Sequence, residues 1–121
     1  MSGVLSYEPG DFLIIQLESG YALLRVLDAS TDGVEDVWHL AAYDDLFLDP
    51  DTAESAIDDP GNLTICRPHV ALTNRAFEST QTGRMKNVPL LESELAAYEE
   101  WKSSDDRPIS DRSIRLLLGL R

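Results

Sequence analysis

The sequence predicts an α+β domain: a small, strongly bent antiparallel sheet or barrel in the N-terminal two-thirds, with one short inserted helix and C-terminal helices packing on it. Three observations predict it. Residues 11–28, DFLIIQLESGYALLRVLD, are two apolar runs around a Ser-Gly turn. Asp49-Pro50 is a helix start placed between extended segments. Beyond residue 90 the apolar spacing changes to four, three and three, at Leu91, Leu95, Tyr98 and Trp101, which is the period of a helix face.

In the hairpin, the first strand is expected over Asp11–Leu17 and the second over Tyr21–Leu27. Glu18-Ser19-Gly20 suits a three-residue loop with Gly20 at a positive φ. That register faces Ile14 with Leu24, Phe12 with Val26 and Ile15 with Leu23. A two-residue loop instead pairs Ile15 with Leu24 and Leu13 with Val26. Either register leaves apolar side chains on both faces, so the hairpin reads as sandwiched rather than half-exposed.

Val34–Tyr43 is the third strand by alternation, with Val37, His39 and Ala41 on one side and Trp38, Leu40 and Ala42 on the other. Asp49 followed by Pro50 starts the short helix, because Asp accepts orphan backbone N–H groups and Pro tolerates the first turn. Ala53, Ala56 and Ile57 give it an apolar stripe, and Asp58-Asp59-Pro60-Gly61 ends it. Leu63–Cys66 and Val70–Phe77 read as two more extended segments, broken at Arg67-Pro68. The Leu91–Trp101 helix lacks a good cap residue at its start. A last helix is expected after Ser110, with Ile109 and Ile114 at staple positions and Gly119 at its end.

A chain of 121 residues fits one domain, residues 1–121, β-rich over 5–78 and helical over 90–120. It has no apolar run of membrane-spanning length and no basic-then-apolar leader at its start. One cysteine, Cys66, excludes an internal disulfide framework and fits a reducing compartment, so the expected location is cytoplasmic. The formal net charge is −12, which opposes binding to nucleic acid or an anionic membrane.

Charge is unevenly placed. Asp28–Asp59 holds eleven carboxylates and no Lys or Arg, whereas Arg67–Lys86 holds Arg67, Arg75, Arg84 and Lys86 against Glu78 alone. Asp44, Asp45, Asp49, Asp51, Glu54, Asp58 and Asp59 read either as a solvated face or as a docking face for a basic protein. They fail the EF-hand pattern, which needs Gly at the sixth and Glu at the twelfth position, so no metal is expected. Arg67, His69, Asn74, Arg75 and Arg84 form a polar stretch whose donors suit a carboxylate or phosphate, or internal pairing with the acidic segment. Cys66 and His69, with His39 elsewhere, are the only thiol–imidazole grouping. A catalytic Cys needs a base beside it, and a zinc site needs three or four ligands at recognisable spacing. No phosphate-binding, dinucleotide-binding or nucleophile-elbow motif is present, and no cofactor is expected.

The opening YEPGDFLIIQLESGYALLRVLD, through Gly10-Asp11, Gly20-Tyr21 and Arg25-Val26-Leu27, resembles the start of small β-rich immunity proteins of bacterial polymorphic-toxin systems. It covers about a fifth of the chain, and SH3-like barrels begin with a similar hairpin. The resemblance implies a cytoplasmic, non-catalytic binding module that neutralises a toxin by direct contact. An acidic surface would suit a nuclease toxin, whose cleft is basic. The alternatives are a structural or self-associating domain and a small enzyme using His39, Cys66 or His69. Ile114, Leu116, Leu117, Leu118 and Leu120 exceed what one narrow helix face buries, and predict either a homodimer or an internal lid.

Overall fold

The computed structural model describes residues 7–31, 36–79 and 81–112. The last helix expected after Ser110, with its leucines, and the start of the third strand at Val34 lie outside the described residues. The fold is α+β: an open five-stranded antiparallel sheet with three helices. The strands are β1 (Asp11–Leu17), β2 (Gly20–Thr31), β3 (Asp36–Phe47), β4 (Ile65–Thr73) and β5 (Gly83–Asn87), ordered β4-β3-β2-β1-β5. The helices are α1 (Pro50–Ile57), α2 (Asn74–Glu78) and α3 (Glu92–Ser103). Among the described residues β4 and β5 are the two edges and do not pair with each other.

The hairpin forms where expected, in neither expected register. Leu17 pairs with Gly20, Leu13 with Leu24 and Phe12 with Arg25, around a loop of Glu18-Ser19. Gly20 belongs to β2 rather than to the loop. Its φ is +143°, and a Cβ there would sit 2.6 Å from the carbonyl oxygen of Phe47. Gly20 is therefore needed where β3 approaches β2.

Alternation divides the sheet's side chains as β3 foretold. On one face Leu13, Ile15, Leu24, Val26, Trp38, Leu40, Ala42 and Leu72 pack with Ala76 and Phe77 of α2. On the other, Phe12, Leu23 and Tyr43 pack with Ala53 and Ile57 of α1, while Leu27 and Ala41 pack with Leu95, Tyr98 and Trp101 of α3. The hairpin is indeed covered on both sides. Register shifts in the β2–β3 ladder near Leu23 and Leu27 add local bend.

Two expectations change. Leu63–Cys66 and Val70–Phe77 are not separate extended segments. One strand runs through Pro68, because β4 is an edge there and a missing N–H breaks no ladder bond. The β3–β4 ladder steps from Leu40–Val70 to Ala42–Arg67, passing over Pro68. Asn74–Glu78 is then helical, because Thr73 Oγ1 accepts the Ala76 N–H at 3.1 Å and caps the turn that delivers Phe77 to the core. Helix α1 starts as predicted, with Asp49 Oδ1 accepting the Thr52 N–H at 2.8 Å. At α3 the missing cap is answered from inside the helix: Glu94 accepts the Leu91 N–H at 2.9 Å. Leu91 itself is 65% exposed and is not part of the buried stripe.

Candidate functional site

The face that carries α1 and α3 holds the polar groups that the apolar pattern concealed. Arg25, in the middle of the LLRVL run, is 1% exposed. Its Nη2 donates to the Val88 carbonyl at 2.8 Å and lies 3.4 Å from Glu94 Oε2, and its guanidinium carbon sits 4.1 Å from the Phe12 ring centroid. Among the described residues Nε and Nη1 meet no hydrogen-bond acceptor. Burial draws the guanidinium below its ordinary pKa, and Glu94 and Tyr43 push it back up. Such a group is expensive to bury and is held by the segment after β5 and by the first turn of α3.

Farther along this face, adjacent strands bring His39 and His69 together. The β3–β4 register places His39 opposite Ala71, so His69 lies diagonally across the same face. His39 Nδ1 and His69 Nε2 are 3.0 Å apart, one donating and the other accepting. The His39 ring lies 4.4 Å from Tyr98 and 4.8 Å from Trp101, centroid to centroid. Tyr98 donates its hydroxyl to Asp28 at 2.8 Å, and Lys102 Nζ lies 4.7 Å from the Tyr98 ring. Burial lowers both imidazoles to about 4, and for His39 the neighbouring His69 adds to it. Burial and the bond to Asp28 raise the Tyr98 hydroxyl. The pair is neutral at pH 7 and bonded to itself, with His39 buried and His69 partly exposed.

The seven carboxylates named from sequence lie around the β3–α1 connection and the turn after α1. Several of them have structural partners. Asp45 accepts the Thr64 N–H at 2.6 Å, Asp49 caps α1, Asp58 meets Lys86 and Asp59 accepts from Asn62 at 2.6 Å. Asp44, Asp51 and Glu54 are exposed. Among these charges Leu46 is 50% exposed and Leu48 88% exposed. No group of three or more His, Cys, Asp or Glu side chains placed to hold a metal is found among the described residues.

The polar stretch is divided by the fold. Arg67 and His69 lie on β4, where they line a concavity of about 350 Å³ with Trp101, Pro108, Ile109 and Ser110. Asn74 accepts from the Trp38 indole at 2.8 Å, and Arg75 pairs with Asp111. Arg84, on β5 at the other edge, bonds to Asp11 at 3.0 Å. The five residues therefore do not share one surface. Cys66 is exposed on β4, and partial burial and Asp44 push its thiol up, away from the thiolate that nucleophilic chemistry requires.

A second concavity, of about 380 Å³, opens between residues 60–65 and residues 88–94. Tyr43, Pro60, Leu63, Ile65, Val88, Pro89, Leu91 and Glu94 line it. The sequence offered Tyr43, Pro60, Leu63, Leu91, Arg25, Asp28 and Tyr98 only as parts of strands, turns, charge runs and helices, and none of the cleft residues nor Arg25, Asp28 or Tyr98 as a site residue. The signal for Arg25 was present: a cation inside an unbroken apolar run demands a buried partner. Among the described residues no helix is long and apolar enough to cross a membrane. No family model, curated protein or solved structure matches the chain.

Proposed function

We propose that the protein is a non-catalytic binding module of the cytoplasm, docking a basic protein through the surface around the β3–α1 connection. The observation that carries this reading is the exposure of Leu46 and Leu48 among Asp44, Asp45, Asp49, Asp51 and Glu54. Two large apolar anchors within a carboxylate rim match the anatomy of a protein interface, where apolar contacts hold and charges steer. The sharpest version is the toxin-neutralising immunity protein that the N-terminal hairpin resembles, with a basic nuclease as the partner.

The test is titration calorimetry against the protein encoded by the adjacent gene. The reading expects saturable binding that weakens as salt rises and is lost in Leu48→Asp with the melting temperature unchanged. Absence of heat, or equal affinity for Leu48→Asp, overturns it.

A further inference from the structure

We propose that the cleft between residues 60–65 and residues 88–94 is a socket for one long cationic side chain, Arg or Lys, of a protein partner; its place in a binding surface rests on the function proposed above. The walls fit the aliphatic stem. Pro60, Leu63, Ile65, Val88, Pro89 and Leu91 line the cleft. Ile65 and Leu91 are 47% and 65% exposed, a large apolar area left in water on facing walls. A long basic side chain covers such walls with its methylenes while its charged end finds a polar group.

The polar groups of the cleft select the sign of that end. Glu94 and Ser93 line it together with Tyr43, and among the described residues no Lys or Arg does. Glu94 spends one oxygen on the Leu91 N–H and turns the other toward Arg25, leaving each oxygen a lone pair for a further donor. The neighbourhood is acidic: Asp44 and Asp45 flank Thr64 through backbone and side-chain bonds, Asp59 precedes Pro60, and Glu92 follows Leu91. The opposite reading is an anion site fed by Arg25. It fails on access, because Arg25 is 1% exposed, with its guanidinium carbon over the Phe12 ring, and does not line the cleft, whereas Glu94 does. An entering carboxylate meets Glu94 before it meets Arg25.

Three probes of one shape and different charge test the socket on the full chain: n-butylguanidinium, n-butylurea and valerate. The readout is the amide nuclear magnetic resonance shifts of residues 60–65 and 88–94. The expected result is saturable shifts with n-butylguanidinium about fivefold tighter than n-butylurea, the worth of one exposed ion pair, and valerate weakest. Leu91→Lys, on an exposed position, should weaken n-butylguanidinium severalfold and leave the melting temperature unchanged. Equal affinity for n-butylguanidinium and n-butylurea overturns the charge preference, tightest binding of valerate shows an anion site, and no saturable shift removes the socket. Because the probes need no partner, these results stand apart from the calorimetry: Leu48→Asp should lose the partner yet keep n-butylguanidinium, and losing both equally overturns the socket as a separate feature.

Discussion

Lowering the pH from 7 to 5 should destabilise the protein through two residues. The chain contains only two histidines, His39 and His69, and both sit in the imidazole pair beneath Tyr98 and Trp101. In the folded protein each is held to about 4, against 6.5 for a free imidazole. The unfolded chain therefore takes up protons first as the pH falls. The stabilisation is fully present above 6.5 and is lost progressively toward 4. At pH 5 a free imidazole is almost fully charged and a folded one almost uncharged, which favours unfolding by about 2 kcal/mol for one ring and about 4 kcal/mol for both. Charged groups around the pair act in both directions: Asp28 favours a proton on His39 and Lys102 opposes it. Folded carboxyls held low, such as Asp11, add their loss only below about 4, outside this window. The assay is urea unfolding at pH 7, 6 and 5, followed by tryptophan fluorescence and circular dichroism, in the wild type and in His69→Gln. The glutamine can still bond to His39 and should roughly halve the pH slope. An unfolding midpoint that does not move between pH 7 and 5, or an undiminished slope in His69→Gln, would refute the reasoning.

Gly20→Val places a Cβ against the Phe47 carbonyl at a φ that β-branched residues avoid, and should cost about 2 kcal/mol or more in chemical denaturation; an unchanged midpoint removes the argument that this approach requires glycine. Asp11→Ala leaves the Glu8 N–H, Asn87 and Arg84 without their common acceptor and should cost about 2–3 kcal/mol, read as a lower urea midpoint. Glu94→Ala should destabilise by orphaning a buried cation, and Arg25→Leu combined with Glu94→Leu should cost less than the two single changes added together; strict additivity in this cycle would show that the pair is not coupled. Asp49→Ala should lower the melting temperature by uncapping α1, and added calcium should leave the wild type unmoved; a saturable rise with calcium would make the carboxylates a metal site.

Local chemistry was legible and non-local chemistry was not. Asp49-Pro50 announced α1 because cap and first turn lie within four residues of each other. The two apolar runs announced a hairpin covered on both faces because a face pattern needs only its own strand. The register escaped because Gly20, inside β2, pairs with Leu17 and meets Phe47, twenty-seven positions away in the chain, instead of sitting in the loop. Helix α2 escaped because five residues are too few to show a period, and only the Thr73 cap marked it. The His39–His69 pair was beyond sequence spacing for the same reason as the cleft: its members come from different strands, and their meeting depends on the β3–β4 register that sets His39 opposite Ala71. The polar stretch Arg67–Arg84 looked continuous only because its members are close in sequence, and the fold sends them to opposite edges.

The placement of β5 has a kinetic consequence. β1, β2, β3 and β4 are joined in order, each to its predecessor, but β5 returns to the far side of β1 and closes contacts such as Asn87 to Asp11, 76 positions apart. Closing so long a loop is costly until the first four strands exist to receive it, so this ladder is expected to form last. The carbonyl of Val88 that Arg25 requires arrives with that strand. Until then the chain holds a cation at the centre of an apolar face with nothing to satisfy it, and water must stay there. That face is then expected to stay wet until β5 has docked, which would tie the drying of one half of the core to the arrival of the last strand.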